Sequence, residues 1–338
     1  MRLRPFKFGR VGGLDAKCSN GGPRQQRRPK PWAGQVGWRP ESPWLTLLST
    51  DRRNPHKPFD PSLIQDLLGG RDVASAELLP AGKSNTNYKL VLSDGEAYVL
   101  RLYSHGDSRR EAYVMDLVRD LVPVPLEVGH GANWSLFTFL EGDLLERVPE
   151  SSDLAAQSLA RISSVQFQSA GWIEADGSVS PFPWLGVRGY AAEKLETAEV
   201  QGWLGPEMVE AVFRILESEQ QRLAELDGDT SLVHGDFNPT NILIREGTVG
   251  GVLDWEYCHA GTPYMDIGNL LRHTAVKYHG RIKSGLQTAG MYLPKDWRKR
   301  AQLADLTSHL EFLTSTRSDA FKRQCVGRVR RFLRAFEG

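Results

Sequence analysis

From Ala76 to Tyr103 the chain reads "AELLPAGKSNTNYKLVLSDGEAYVLRLY", with apolar residues alternating with polar ones in short runs between turn formers. A period of two over four to eight residues marks strands with one buried face. The stretch predicts strand, turn, strand, a Ser-Asp-Gly hairpin at Ser93–Gly95, and a third strand from Ala97 to Tyr103. Upstream, "PFDPSLIQDLLGG" predicts a short helix opened at Asp60–Pro61 and closed by Gly69–Gly70. Downstream the period changes. In "SRREAYVMDLVRDL" the residues Ala112, Met115, Leu117, Val118 and Leu121 fall near helical spacing. "VPVP" ends that helix, because a residue before proline is driven out of the helical region. "WSLFTFLEG" then reads as a further strand that stops at Gly142.

Beyond Gly142 helical patterns dominate. Ser151 or Ser152 is placed to cap "DLAAQSLARISSVQFQ". Gly205–Pro206 opens a long predicted helix in which Met208, Val212, Ile215, Leu216, Leu223 and Leu226 recur at helical spacing. Short apolar strands interrupt the helices, two around a polar centre in "LVHGDFNPTNILI" and a further one in "TVGGVLDWEYC". The last segment, "RSDAFKRQCVGRVRRFLRAF", reads as a packed amphipathic helix with a solvated basic face. The expected fold class is α+β, with a small strand-rich lobe over 57–142 and a larger helical lobe over 143–338.

"LVHGDFNPTNILI" raises the chemical question. His234, Asp236, Asn238 and Asn241 fall within eight residues between apolar strands, and buried polar groups are costly unless paired, ligated or used. Pro239 biases Asn238 toward an extended conformation, so the loop bulges and lets Asp236 and Asn241 face one cleft. A second apolar strand brings Asp254 to its end in "LDWE". Phosphoryl transfer needs a carboxylate to orient or deprotonate the acceptor hydroxyl, and oxygen ligands for Mg²⁺ on the triphosphate. A carboxylate, an amide oxygen and a second carboxylate on adjacent strand ends meet that need.

Protein kinases use the same logic, with an Asp and an Asn five residues apart and a later strand-end Asp. In the variant here, "HGDFNPTN" with "DWE", Gly235 stands for the kinase Arg and Trp255–Glu256 for Phe-Gly. The pair resembles the aminoglycoside phosphotransferase and choline kinase family, over roughly residues 70 to 338. The resemblance implies a protein kinase-like two-lobe fold and an ATP-dependent phosphotransferase that acts on a hydroxyl of an amino sugar, amino alcohol or related metabolite. It implies Asp236 as catalytic base and Asn241 and Asp254 as Mg²⁺ ligands. His234 and Asp266 would brace the loop, and Glu256 would assist the metal through water or pair with a nearby base. In the small lobe, Arg101 of "YVLRLY" matches the family's phosphate-contacting base, and Glu111 is placed to pair with it. Ser84, Asn85 and Asn87 of "AGKSNTNYKL" match the phosphate-covering turn. Phe139 and Leu140, in the hinge that runs to Gly142, would offer backbone groups to adenine. A catalytically silent kinase-like protein that binds nucleotide or a partner is the alternative; the joint presence of Asp236, Asn241 and Asp254 favours the enzyme. Asp305, Glu311 and Asp319, on helices after Asp254, are carboxylates that would suit a cationic acceptor.

Composition narrows the rest. At 338 residues, 40% hydrophobic and 25% charged, the chain is long enough for two lobes with a substantial core. No apolar run approaches the roughly 18 residues of a membrane span, and no nucleic-acid partner is expected. Cys18, Cys258 and Cys325 form neither a disulfide framework nor a metal-ligand spacing, which points to a reducing cytoplasm. The net charge of +1 conceals an asymmetry: residues 1–57 hold 13 Lys and Arg against three acids. Such a segment suits an anionic surface or organelle targeting, but its many Gly and Pro residues work against an amphipathic helix. Residues 1–56 are therefore expected to be a disordered leader.

Overall fold

The computed structural model describes residues 54–79, 85–104, 108–183 and 186–337. Ser84 and nearly all of the segment 1–56 lie outside the described residues. At the start, Asp60 accepts a hydrogen bond from the Ser62 amide at 3.0 Å, and Pro61 supplies a fixed φ. Two 3₁₀ turns, Pro61–Leu63 and Gln65–Leu68, take the place of the one predicted helix. So short a segment gains little from its own hydrogen bonds. Ile64 and Leu68 hold it by packing against the sheet.

That sheet contains β1 (Val73–Leu79), β2 (Thr86–Leu92), β3 (Ala97–Leu102), β4 (Glu127–Gly131) and β5 (Trp134–Thr138), with helix α1 (Ser108–Val118) between β3 and β4. Its order is β1-β2-β3-β5-β4, antiparallel throughout. The period of two splits it into faces. Leu90, Leu92, Leu100, Leu102 and Leu136 join Ile64 and Leu68 on one side. Val99 and Phe137, on the other, meet Val114, Met115 and Val118 of α1. Arg101 is in phase with Val99 and faces α1. Two expectations change here. Leu117 of α1 is exposed, because the inward face carries the acid Glu111, which a count of apolar residues passes over. β4 went unpredicted, since "EVGHG" has no apolar alternation and takes its strand form by pairing with β5.

In the larger lobe come β6 (Asp143–Leu144), α2 (Ser152–Ile162), β7 (Trp172–Ile173), β8 (Val179–Ser180), α3 (Gly186–Leu195), α4 (Ala198–Ser218) and α5 (Gln220–Asp227). Neither Ser151 nor Ser152 caps α2 with its side chain; a 3₁₀ turn at Pro149–Ser151 leads into it, and the Ser152 hydroxyl donates to the Pro149 carbonyl. Helix α4 begins before the predicted point, where the Thr197 hydroxyl accepts from the Val200 amide at 3.4 Å. Its axis breaks at Gly205–Pro206, with Gly205 at φ 73° and ψ 162°, so the predicted start is that of its second half. Leu223 and Leu226 belong to α5.

The chain continues through β9 (Ser231–Val233), β10 (Ile242–Arg245), β11 (Thr248–Val252), β12 (His259–Gly261), α6 (Tyr264–His273), α7 (His279–Thr288), α8 (Trp297–Thr314) and α9 (Asp319–Glu337). Strand β10 pairs with β11 and β6, and β9 pairs with β12. Helices α3, α4, α5, α8 and α9 share a core that includes Leu195, Val212, Leu226, Leu310 and Val329. Helix α9 buries Cys325, Val329 and Phe332 there, as its amphipathic pattern predicts. A second core, under β9 to β12, contains Phe237 and Trp255, both fully buried. It continues beneath α1, so the sheet lobe and the strands of the larger lobe are packed through one apolar cluster.

Candidate active site

Between β9 and β10, residues 234–241 form the polar loop. Gly235 has φ +82°, and a Cβ there would collide with the Tyr257 carbonyl, so both conformation and space require glycine. Asp266, in the first turn of α6, accepts from the His234 amide at 2.7 Å and the Gly235 amide at 2.9 Å. Burial pushes the Asp266 carboxyl up to about 7 against the opposing pull of these amides. The His234 ring lies 4.5 Å from the Trp255 ring, centroid to centroid. Its Nδ1 accepts from the Asp236 amide at 3.2 Å, which leaves Nε2 to donate to the Leu253 carbonyl at 2.9 Å. Burial lowers its pKa and keeps the ring neutral. His234 thus ties this loop to the end of β11.

The Asp236 carboxylate is set by amides. Its Oδ1 accepts from Asn238 Nδ2 at 2.8 Å and Asn269 Nδ2 at 3.4 Å, and its Oδ2 from Asn241 Nδ2 at 3.0 Å. Asn241 Nδ2 also donates to the Asp236 carbonyl at 2.9 Å. With its nitrogen committed, Asn241 has its Oδ1 left as an acceptor. The Leu253 amide donates to the Asn241 carbonyl at 2.8 Å, which brings Asp254 next to Asn241.

Asp254 has φ +66°, a left-handed conformation that costs a non-glycine residue roughly 1–2 kcal/mol. The neighbouring Trp255 holds it there: its indole is buried, and its amide donates to Glu111 Oε1 at 3.1 Å. Such strain, kept in place by its surroundings, concentrates at functional sites. One Asp254 oxygen pairs with Arg101 Nη2, while Arg101 Nη1 pairs with Glu111 Oε1. Burial opposes the Arg101 charge, but Glu111 and Asp254 outweigh it and raise its pKa. Tyr103 donates to Glu111 Oε2 at 3.1 Å.

A second link joins the lobes. Asn85 Nδ2 donates to Glu256 Oε2 at 3.0 Å, and Asn85 Oδ1 accepts from the Ser104 amide at 3.1 Å. Burial and then the charge of Asp254 push the Glu256 carboxyl up to about 7. Asn87 stands opposite Arg101 across β2 and β3. Phe139 lies under Lys89, whose Nζ is 4.0 Å from the ring centroid, and Leu140 lies against Gly251 of β11.

The structure therefore brings together Asp236, Asn241, Asp254, Glu256, His234, Asp266, Arg101, Glu111 and Asn85, with Asn87 beside Arg101. Phe139 and Leu140 stand where the chain crosses between lobes. Asp305 and Glu311 do not line a free acidic wall. Asp305 pairs with Arg272 and with His309, and Glu311 pairs with Lys194 at 3.0 Å and accepts from Tyr190. Asn238 and Asn269, as donors to Asp236, were not anticipated. For Asn269 a signal existed: Asp266, Asn269 and Arg272 fall three apart on one helix among Met265, Ile267, Leu270 and Leu271.

The model of the phosphotransferase enzyme family matches residues 75–303. The chain belongs to this family. As a member it is a phosphotransferase. No curated protein matches the sequence. Among solved structures it is similar to a fructosamine-3-kinase-like protein from Thermobifida fusca YX-ER1, with 22% identity, 81% of this chain and 98% of the other covered, and a TM-score of 0.60. It is also similar to the macrolide 2′-phosphotransferase MphH from Brachybacterium faecium, with 16% identity, 80% and 98% covered, and a TM-score of 0.59. A thermostable mutant of the aminoglycoside phosphotransferase APH(4)-Ia, in ternary complex with AMP-PNP and hygromycin B, shares 18% identity, with 79% and 96% covered and a TM-score of 0.59. At these identities the likeness concerns the fold, the two-lobe phosphotransferase architecture expected from the sequence. Among the described residues no helix is long and apolar enough to cross a membrane.

Proposed function

We propose that this phosphotransferase moves the γ-phosphoryl group of ATP to its acceptor hydroxyl with Asp236 as the base. Amino sugars, amino alcohols and related metabolites are the acceptors to test first. The observation that carries the reading is the Asp236 carboxylate, held by three side-chain amides beside the strained Asp254. In the transfer, a bond forms between the acceptor oxygen and the γ-phosphorus as the bond from that phosphorus to the β,γ-bridging oxygen breaks. ADP leaves with the electron pair, and the acceptor proton passes to Asp236. The amides keep the carboxylate in one orientation, so the acceptor finds a preformed proton acceptor.

The residues fit a Mg²⁺ ion. Asn241 Oδ1 and the Asp254 carboxylate are hard oxygen donors. Among the described residues no group of three or more His, Cys, Asp or Glu is placed to hold a metal. A cation held by two protein groups takes its remaining ligands from phosphates and water, which suits Mg²⁺. When bound, the ion would neutralise charge on the triphosphate. Arg101, kept in place by Glu111, supplies a further positive charge to the phosphates, and Ser84, Asn85 and Asn87 add polar side chains for them. Backbone groups of Phe139 and Leu140 meet the adenine. His234 and Asp266 hold the loop, and Glu256 serves beside Asp254. The AMP-PNP and hygromycin B complex of the aminoglycoside phosphotransferase supports a site for nucleotide and a small hydroxylated molecule.

The test pairs a screen with a substitution. Hydroxylated amines and sugars are screened for ADP release, and Asp236→Asn is then compared with wild type. Turnover should fall about a hundredfold or more, with nucleotide affinity unchanged, since the substitution removes the base and keeps the shape. Full turnover in Asp236→Asn would make the loop a structural brace and end this reading.

A further inference from the structure

We infer that Arg272 is a positioning residue for Asp236, acting through the amide of Asn269. The inference rests on Asp236 being the base, as proposed for the transfer. Asp266, Asn269 and Arg272 follow one another at intervals of three on α6, so their side chains are neighbours along the helix. Asp266 takes the loop's backbone amides, and Asn269 Nδ2 reaches the Asp236 carboxylate.

An asparagine amide can point either end at a neighbour, and only one end suits a carboxylate. Arg272 settles which. Its Nη2 donates to Asn269 Oδ1 at 2.8 Å, and a guanidinium, having no acceptor, can bond only to that oxygen. The Asn269 NH₂ is thereby turned to Asp236. With Asn269 reversed, its oxygen would face the carboxylate and its NH₂ would face the guanidinium, which is unfavourable at both ends. The 3.4 Å contact from Asn269 to Asp236 is the longest link. Such contacts are often long without substrate and tighten in the reacting complex.

Each side-chain nitrogen of Arg272 has a partner. Its Nε donates to His273 Nε2 at 3.2 Å, and its Nη1 pairs with Asp305 Oδ1. Asp305 Oδ2 is 3.2 Å from His309 Nε2. The Arg272 and Asp305 side chains are 6% and 10% exposed, so the guanidinium has little freedom to leave. Asp305 belongs to α8, and the approach of that helix explains its position. A Cβ on Gly268 would lie 2.6 Å from the Ala301 carbonyl oxygen and 2.7 Å from Asp305 Cβ, so α6 and α8 meet backbone to backbone. Packing of a helix remote from the polar loop is thus transmitted through Asp305, Arg272 and Asn269 to the orientation of Asp236.

A merely structural role for Arg272, tying α6 to α8, predicts different behaviour from a positioning role, and Asn269→Asp separates them. The substitution keeps the shape and gives Arg272 a charged partner, but sets a negative oxygen against Asp236. The probe is Mg·ATP with water as acceptor, read as ADP release by the full chain. Turnover should fall between about tenfold and a hundredfold, the range for a misplaced catalytic group, with the KM for ATP unchanged and Tm not lowered. Arg272→Lys keeps a charge for Asp305 but loses the fork to Asn269; it should show a smaller loss with the same split between kcat and KM. If Asn269→Asp proves unstable, that split in Arg272→Lys decides. Wild-type turnover in folded Asn269→Asp, with Asp236→Asn impaired, overturns the inference and leaves the Asp236 reading standing. Wild-type turnover in Asp236→Asn removes both.

Discussion

Around Asp236 the polar partners come from the larger lobe: Asn238 and Asn241 from its own loop, Asn269 from α6, and Asp266 beneath the loop amides. Around Arg101 they come from both lobes: Glu111 on α1 on one side, and Asp254, just past β11, on the other. The Asn85–Glu256 bond makes a second crossing. The two halves of the site therefore depend on different things. The loop half is set by hydrogen bonds inside one packed unit, so its geometry should survive movement between the lobes. The small-lobe half exists as described only while the lobes are docked, because Arg101 divides its fork between them. A proton acceptor benefits from rigidity, whereas a phosphate site must let a nucleotide enter and leave.

Asp254 belongs to both halves, and substituting it should have the largest effect. Asp254→Ala removes the one charged oxygen donor of the proposed metal pair and also the cross-lobe partner of Arg101. Losing a metal's contribution of several kilocalories corresponds to about a thousandfold in turnover. Mg²⁺-dependent ATP affinity should be lost as well. Calorimetric titration with Mg·ATP checks the second point; unchanged affinity together with unchanged turnover would refute the metal assignment. The amide bonds to Asp236 do not involve Asp254, so the loop half should keep its fold.

Glu111→Ala should act first on the small-lobe half and reach the larger lobe only through Trp255 and Asp254. It leaves Arg101 with Asp254 only, and strips an acceptor from the Trp255 amide and the Tyr103 hydroxyl. Removing one partner of a buried ion pair costs about 3–5 kcal/mol; the remaining Asp254 pair places this case near the lower figure. Urea unfolding measures the loss. Hydrogen exchange should show β3 and α1 loosened before β9 and β10. Equal loosening of both halves would show that the site is one unit with no such division.

How much of the site was legible in the sequence depends on the same division. "HGDFNPTN" and "DWE" are contiguous, and their polar residues stand out against apolar strands, so His234, Asp236, Asn241, Asp254 and Glu256 were named and do meet; Asp266, outside both motifs, was named from the family resemblance and joins them. Arg101 and Glu111 were also named, though their meeting depends on the phase of β3 against α1. Asn269 was missed because its role appears only when α6 packs under the loop. The left-handed backbone of Asp254 was missed because an aspartate carries no mark of it, whereas Gly235 does. Strand β4 exists only through pairing with β5, and the break in α4 comes from a Gly-Pro that also reads as a helix start. Asp305 and Glu311 were offered as acceptor-binding acids, and the fold uses both in internal pairs. Composition reports a charge but not its partner.

The smallest predicted effect tests whether acid sensitivity lies in the larger lobe. His259 of β12 pairs with Val233 of β9, next to the polar loop, and its ring meets Trp172 and Phe182 edge-on. Its Nδ1 donates to the Tyr257 carbonyl at 2.9 Å. Burial, helped by the charge of Arg110, lowers its pKa to about 4 against the pull of that carbonyl. In the unfolded chain the value returns to about 6.5, so the unfolded state binds the proton more tightly. The stability contributed by neutral His259 is therefore present in full above pH 6.5 and is lost as pH falls toward 4. Glu256 and Asp266, raised to about 7, act in the opposite sense: their contribution is full below their unfolded values and is lost as pH rises through 7. Wild-type stability alone would mix these trends, so a variant that cannot titrate is needed. His259→Asn keeps a donor near the Nδ1 position and loses the ring. The stability difference between wild type and His259→Asn should be constant above pH 6.5 and narrow by about 2 kcal/mol at pH 5, at 1.36 kcal/mol per pH unit. Urea unfolding of both proteins at pH 7 and pH 5 measures it. A difference that stays constant would mean that His259 takes up its proton in the fold as readily as in the unfolded chain, and the acid-sensitive group would have to be sought elsewhere.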